Sequence, residues 1–560
     1  MNVSARDQRA WWRDAVTYQI YIRSFADGNG DGIGDIEGIR SKLPYLKSLG
    51  VDAIWITPWY PSPQNDHGYD VANYMDIEPM YGTLEGAQRL IDETHQHGMK
   101  LIVDIVPNHS SDQHVWFQEA LKSPIGSNAR NRYIFRDGKG ADGELPPNNW
   151  QSVFGGPAWH RITDSEGKAE QWYLHLFAVE QPDFNWEHPE VREHFESILK
   201  FWLDRGVDGF RIDVAHALIK YPGLPDIPPA RDDFVPGEFV PDEYRPMWDQ
   251  DGVHEIYRSW RKILNSYSGD RMAVAEAWVS PASRIARYLR PDELANSFNF
   301  DFLTSLWEPA YLTEMINRAV DAMSEVGAPP SWVFNNHDVT RSVDRFDLGL
   351  QNRQVNTLER QGDPVKFDIA RGTLRARAGA LLMLALPGGA YIYQGEELAV
   401  PEVRDIPEDR LTDPIWKMSG YKDRGRDGCR VPIAWKSASA GAFGFSTNAQ
   451  LQPDQAWLPQ SPWWGSYSVE SQLGVNGSTH SLYTQALAIR KNEVGLGDGP
   501  MSWIDASKDV LAFSRPGNFA CYVNFGKPIK IPEGAGILLS SQDFSGNEIP
   551  TDTTVWMRLK

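Results

Sequence analysis

The chain is poor in cysteine. Cys429 and Cys521 are the only two among 560 residues, which excludes a disulfide framework and a cysteine zinc site. Basic residues are also scarce, with 55 Lys and Arg against 75 Asp and Glu and a net charge of −20. A nucleic-acid groove or a polybasic membrane surface needs clustered Lys and Arg and is not expected here. No long hydrophobic run exists. The longest candidate, Ala378–Leu386, falls well short of the roughly 20 apolar residues that span a bilayer. The opening segment Met1–Asp14 carries charges and no apolar leader core, so the expected compartment is the cytoplasm. What the chain does have is aromatic surface. Most of its 22 Trp and 21 Tyr are expected in the core; an excess of flat rings can also stack on sugars, and composition alone does not decide between the two.

Short apolar, β-rich runs alternate with amphipathic segments. Strands are predicted at Val16–Phe25, Ala53–Thr57, Leu101–Val106, Gly209–Asp213, Ala273–Trp278, Ser297–Phe302, Trp332–Asn336 and Ala390–Tyr393. Between them, a helix at about Pro189–Arg205 places Val191, Phe195, Ile198, Leu199 and Trp202 on one stripe. Further helices are expected near Asp35–Ser48, Leu84–Gln96, Val253–Ser266, Leu312–Val326, Ile369–Leu384 and Leu482–Lys491. Eight strands alternating with helices fit a parallel (β/α)8 barrel, the α/β class, with a doubly wound sheet as the other architecture. The Gly-, Pro- and Trp-rich stretch after the third strand is long enough for a small inserted domain. From about residue 496, short strands with turns at Val510–Ser514, Phe519–Phe525, Ile537–Leu539 and Val555–Leu559 read as a C-terminal β-sandwich. The resulting division is barrel at 1–109, inserted domain at 110–185, barrel at 186–495 and sandwich at 496–560. Gly223–Arg245 and Pro401–Gly428 read as long loops on the barrel top.

Active sites of such barrels lie at the C-terminal strand ends. There the chain places Asp104 and Asn108-His109, then Arg211 and Asp213, then Glu276, then His337-Asp338, with Asp66-His67-Gly68-Tyr69-Asp70 after the second strand. A single strand-end Asp can simply cap the next helix; the whole set is hard to explain as caps.

With these residues the chain resembles the α-amylase superfamily of glycoside hydrolases, and within it the α-glucosidase and oligo-1,6-glucosidase-like enzymes. The matching segments are GVDAIWITP at 50–58, DIVPNH at 104–109, QPDFNW at 181–186, GFRIDVAH at 209–216, AEAW at 275–278, NNHD at 335–338 and YQGEE at 393–397. The resemblance implies a nucleophile at Asp213, a general acid/base at Glu276 and a transition-state-stabilising carboxylate at Asp338. Retaining chemistry needs two carboxyl groups about 5–5.5 Å apart, one ionised and one protonated. Arg211, two residues before Asp213 on the same strand face, is expected to keep it ionised. His109 and His337 are expected at the hydroxyls of the first sugar, or else as satisfied core histidines, and Tyr69 as a stacking platform. The resemblance also implies that Asp66 pairs with Arg430 of the segment Arg430-Val-Pro-Ile-Ala-Trp435, closing the pocket behind a terminal glucose. Phe154 and Phe300 are candidate walls of the aglycone site, or core. Val214, next to the nucleophile, is implied to accept α-1,6 bonds.

The first loop, Asp27-Gly-Asn29-Gly-Asp31-Gly-Ile33-Gly-Asp35, alternates oxygen ligands with glycine. It is not an EF-hand, since Gly38 stands at the twelfth position. The resemblance implies one structural Ca2+ or Mg2+ on Asp27, Asn29, Asp31, the Ile33 carbonyl and Asp35; a metal-free turn is the other reading. The expected activity is exo-acting, retaining hydrolysis of short α-glucosides, maltose-type α-1,4 with α-1,6 as a further linkage, and transglucosylation. Glucosyltransferases, sucrose isomerases and trehalose synthases on the same scaffold are the rival. Arg341-Ser-Val-Asp-Arg345-Phe-Asp347 does not match the Arg-Leu-Asp-Arg-Asp loop of sucrose isomerases. No organic cofactor, nucleic acid or membrane partner is implied, and the chain is expected as a monomer or homodimer.

Overall fold

The computed structural model describes residues 9–164, 166–229, 240–348 and 367–560. Residues 1–8 of the opening segment and 230–239 of the loop 223–245 lie outside the described residues.

Eight parallel strands form the central sheet: β1 (Val16–Ile20), β2 (Ala53–Ile56), β3 (Lys100–Ile105), β4 (Gly209–Ile212), β5 (Met272–Ala275), β6 (Asn296–Ser297), β7 (Ser331–Val333) and β8 (Gly389–Tyr393). Their order is β7-β8-β1-β2-β3-β4-β5-β6, a nearly closed barrel whose seam lies between β6 and β7. A doubly wound sheet is excluded, because β8 pairs directly with β1. Several strands stop earlier than the apolar runs suggest, β7 for example at Val333. After β1 the chain turns into the helix Ile22–Phe25, after β6 into the helix Phe300–Leu303, and β5 ends at Ala275. Barrel strands are short, and their C-terminal overhangs serve as loops.

The period of two along each strand separates two cores. Ala53, Trp55, Ile102, Met272, Val274, Val333 and Tyr391 fill the barrel interior. Ile54, Ile56, Leu101, Val103 and Ile212 point outward into the cluster shared with the helices. Packing is tight enough to require a specific glycine. A Cβ on Gly209 would meet the Met272 carbonyl oxygen at 2.7 Å.

The helices follow the apolar stripes. The helix Pro189–Asp204 starts with Pro at its first turn, is capped by His188, and buries Val191, Phe195, Ile198, Leu199, Trp202 and Leu203. Trp202 lies 5.4 Å from Trp59, centroid to centroid. Each such side chain contributes roughly 1.5–3 kcal/mol.

Between β3 and β4, the strands Phe135–Arg136, Trp159–Thr163 and Ala169–Leu174 make a three-stranded antiparallel sheet with Ala169–Leu174 in the centre. At the C-terminal end, Ser502–Trp503, Val510–Arg515, Phe519–Asn524, Thr553–Arg558 and Gly536–Ser540 form a five-stranded antiparallel sheet. Its Ala520, Val555 and Met557 face Ile529 and Ile549 of a two-stranded sheet. The opposite face docks on the helix Ile369–Ala385, where Trp556 donates to the Leu381 carbonyl at 3.0 Å. Among the described residues no helix is long and apolar enough to cross a membrane.

Candidate active site

The strand register assembles the site. Arg211 of β4 lies beside Asp104 of β3 and Val274 of β5. Asp213 and Glu276 follow the last residues of β4 and β5 closely, and the ladder continues through their backbones. Asp213 N–H donates to the Ile105 carbonyl and Glu276 N–H to the Ile212 carbonyl, each at 2.9 Å. Two side chains are thus delivered to one mouth by main-chain bonds.

Arg211 is the hub. Its Nη1 donates to Asp104 Oδ1 at 2.9 Å and to Asp213 Oδ1 at 2.5 Å, and its Nη2 lies 3.0 Å from Glu276 Oε2. The carboxyls of Asp213 and Glu276 are close enough to share a hydrogen bond. Burial pushes the Asp213 carboxyl well above its usual range; Arg211 opposes this, while Glu276 and Asp104 reinforce it. Arg211 therefore does not hold Asp213 ionised outright, as the sequence suggested. Burial beside two other carboxyl groups, Glu276 and Asp104, outweighs the single cation. Asp104 is raised to about 7 by burial, with Arg211 opposing.

Asp338 differs. Burial opposes its ionisation, but Arg426 and Arg430 each place a guanidinium nitrogen 3.0 Å from Oδ1, and it is held well below the usual carboxylate range. Neighbouring His337 is itself kept neutral, mainly by burial and by the arginines. Gln19 Nε2 lies 2.7 Å from His337 Nδ1; with the amide donating, the ring proton is on Nε2. That nitrogen faces Tyr69 Oη at 2.7 Å and Asp338 Oδ2 at 3.4 Å. Tyr69 donates to Asp104 at 3.1 Å and stacks on His337 at 5.3 Å and 7°.

These groups open into one cavity of about 770 Å3, lined among others by Asp66, Tyr69, His109, Phe154, Asp213, Val214, Glu276, Trp278, His337, Asp338 and Arg426. His109 is buried, which lowers it to about 4, and so it is neutral. Phe154 and Phe177 of the inserted segment form a wall, 5.6 Å apart and edge-on. Val214 takes a positive φ of 45°, unusual for a β-branched residue. The strand has ended, and the alternation that would point it away from Asp213 no longer applies.

One expectation needs correction and another is narrowed. Asp66 does not pair with Arg430. Its partner is Arg426, whose Nη2 lies 2.9 Å from Asp66 Oδ1 while its Nε holds Asp413 at 2.7 Å. Arg430 sits behind, donating to the His337 carbonyl at 2.8 Å and to His67 Nδ1 at 3.1 Å. The two arginines are separated by one helical turn at Asp427–Arg430, and packing decides which one faces the cavity. Of the two readings of Phe300, the core one holds: it is buried in the barrel cluster and is not among the lining residues. Trp278 covers it, with ring centroids 3.9 Å apart and planes at 21°. Sequence reasoning also missed Gln181, whose Nε2 lies 3.2 Å from Asp66 Oδ2 and 3.1 Å from His109 Nε2. Its place in QPDFNW was the available signal.

The Asp27–Asp35 loop lies apart from this cavity. Its oxygens serve its own backbone. Asp27 accepts from Gly30 and Gly32, Asn29 from Asp31, Asp31 from Ile33, and Asp35 from Gly28, Asn29 and Gly38. Among the described residues no three acidic, histidine or cysteine side chains converge as a metal-holding group.

Three carboxylates around a buried guanidinium, at the mouth of a parallel barrel, define a carbohydrate-cleaving enzyme of the double-carboxylate kind. The comparisons agree. The family model "Alpha amylase, catalytic domain" matches residues 19–499. A probable alpha-glucosidase of Rhizobium meliloti is 36% identical, covering 90% of this chain and 87% of its own. An oligo-1,6-glucosidase of Parageobacillus thermoglucosidasius is 36% identical, covering 86% and 84%. Among solved structures, the alpha-glucosyl transfer enzyme XgtA superposes with a TM-score of 0.83 at 32% identity, covering 98% and 99% of the two chains. The trehalulose synthase MutB from Pseudomonas mesoacidophila MX-45 gives 0.81 at 29% identity, covering 98% and 99%. This chain belongs to the α-amylase family of glycoside hydrolases.

Proposed function

We propose that the protein is an exo-acting, retaining α-glucosidase on short α-glucosides, with transglucosylation as a side reaction. The observation that carries this is the contact between Asp213 and Glu276 on one guanidinium. An inverting enzyme needs its two carboxyls about 6.5–9.5 Å apart to leave room for a water, and a retaining one about 5–5.5 Å; two carboxyls drawn onto one guanidinium fall on the short side and leave no room for that water.

In that step the Asp213 carboxylate attacks C1 of the terminal glucose. Glu276 gives its proton to the departing glycosidic oxygen, and a β-glucosyl ester forms as the C1–O bond breaks. Glu276, now ionised, takes a proton from water, which attacks C1 and releases α-glucose and free Asp213. A second sugar or alcohol in place of water gives the transfer product. Asp338, kept ionised by Arg426 and Arg430, supports the positive charge that develops on the ring. Asp66, His109, His337 and Arg426 are assigned to the hydroxyls of the terminal glucose, Tyr69 to its face, and Phe154 to the aglycone side. The Asp66–Arg426 pair walls off the inner end of the cavity, which supports exo action.

A second reading, transfer or isomerisation as the main reaction, is favoured by the likeness to XgtA and MutB. The structure gives it no separate support in the Arg341–Asp347 segment, where Arg341 and Arg345 are buried and donate to backbone carbonyls of Gln394, Cys429 and Phe334. We further propose, from the likeness of the Asp27–Asp35 loop to the single-metal loop of this subgroup, that it takes one Ca2+ or Mg2+; the enzyme is proposed to act in the cytoplasm as a monomer or homodimer. Chromatography of products from maltose, isomaltose, sucrose, trehalose and maltotriose tests the reading. Glucose as the main early product supports hydrolysis, and a disaccharide isomer as the main product refutes it.

A further inference from the structure

Glu276 is held by donors on both oxygens. Oε2 accepts from Val214 N–H at 2.9 Å and lies 3.0 Å from Arg211 Nη2. Oε1 accepts from Trp278 Nε1, at 3.1 Å. A carboxyl proton cannot sit on an oxygen that already faces a guanidinium and an amide N–H, so it belongs on Oε1. The indole is therefore a fixed donor at the atom that must carry the proton.

Trp278 is 47 % exposed, unusual for so large an apolar ring. Phe300 stacks beneath it, and Phe298 packs edge-on behind Phe300 at 6.2 Å. The indole is thus fixed from its inner side, although solvent reaches its outer side. Its exposure and its bond to Glu276 both follow from that stack.

The geometry points to Trp278 as a positioning residue for Glu276, with Phe300 acting through it. The indole N–H fixes the Oε1 rotamer toward the leaving oxygen and stabilises the ionised carboxylate needed when water attacks. The proton balance is simple. Oε1–H passes its proton to the glycosidic oxygen, and the Trp278 N–H then supports the negative charge left on Oε1. When water is deprotonated, the proton returns to Oε1 and the indole yields to it. Other charged or titratable groups facing Glu276 are Arg211, Asp213, Asp104, His216 and His109. Of these, Arg211 reaches Oε2 and Asp213 shares a hydrogen bond with the carboxyl. This inference rests on the proposed acid/base role of Glu276.

The test is the pH profile of kcat/KM for W278F, which keeps a ring on Phe300 and loses the N–H. On maltose the basic limb should move up by about half to one pH unit, as loss of a hydrogen bond to the charged form demands. On α-glucosyl fluoride, whose leaving group needs no proton, the profile should not move. F300A should shift the maltose limb in the same direction by less. An unmoved maltose limb in W278F overturns the assignment to Trp278, as does an equal shift on both substrates. An unmoved limb in F300A removes Phe300 from it. If the wild type shows the same basic limb on maltose and on the fluoride, the acid role of Glu276 itself fails, independently of Trp278.

Discussion

Replacing Arg426 with alanine tests the pocket most directly. Arg426 touches three carboxylates: Asp66 at 2.9 Å, Asp338 at 3.0 Å and Asp413 at 2.7 Å. The three do not lose equally. Asp338 keeps Arg430, and Asp413 keeps backbone donors from Ile415 and residue 426. Asp66 keeps Gln181 but loses its ion-pair partner. Burial already raises Asp66, and Arg426 is the first of the charges that oppose it, so Asp66 protonates toward neutral pH in the variant. Breaking a buried pair costs about 3–5 kcal/mol. A loss of about 3–4 kcal/mol in transition-state binding is about 10²–10³ in kcat/KM. KM for maltose should carry most of it, because Asp66 is assigned to ground-state hydroxyls. The acid limb should also move up, since Asp66 must now ionise without its cation. Arg430→Ala should act differently. Its contacts are Asp338, the His337 carbonyl and His67, and none is to Asp66, so kcat should fall more than KM rises. Steady-state kinetics on maltose and maltotriose separate the two variants. Should R430A raise KM and R426A leave it within about twofold, the assignment of the pocket wall to Arg426 is wrong.

Asp213→Asn should reduce turnover by orders of magnitude yet raise the melting temperature. A carboxyl whose folded pKa lies above its unfolded value opposes folding once the pH exceeds the unfolded value, so removing its charge at neutral pH stabilises; a lower melting temperature for D213N by calorimetry would contradict this. Glu276→Gln should spare an aryl α-glucoside more than maltose, since a good leaving group needs less protonation, and equal losses on the two would dismiss the acid role. Asp338 and Asp413 are depressed in the folded state, so the stability they contribute is complete above the ordinary carboxylate pKa of about 3.9 and is lost as pH falls below it, which acid unfolding of the wild type and the two Asn variants can show. Val214→Thr should lower the isomaltose-to-maltose ratio of kcat/KM by up to about tenfold, and an unchanged ratio would leave linkage choice to the barrel-top loops. EDTA should lower the melting temperature more than initial activity if the Asp27–Asp35 loop holds a cation; an unchanged melting temperature with no metal by elemental analysis would make it a plain turn.

Much of the barrel was written in local pattern. Each strand needs only a few β-branched or aromatic residues in a row, and each helix an apolar stripe such as Val191–Trp202; these are properties of neighbouring residues. The three carboxylates were legible because each stands at or just beyond a strand end, and a parallel barrel sends all those ends to one mouth. Packing alone decided which of two equivalent residues does the work. Arg426 and Arg430 are one turn apart on the same short helix, and nothing local says which will reach Asp66. Trp278 and Phe300 lie on different strand ends, and only their stacking puts one ring at Glu276 and the other beneath it. Val214 left the strand alternation because β4 stops at Ile212 and its backbone turns to positive φ. The charge balance at Asp213 was likewise a tertiary matter: Arg211 on the same strand argued for an ionised carboxylate, and burial beside Glu276 and Asp104 from two other strands outweighed it.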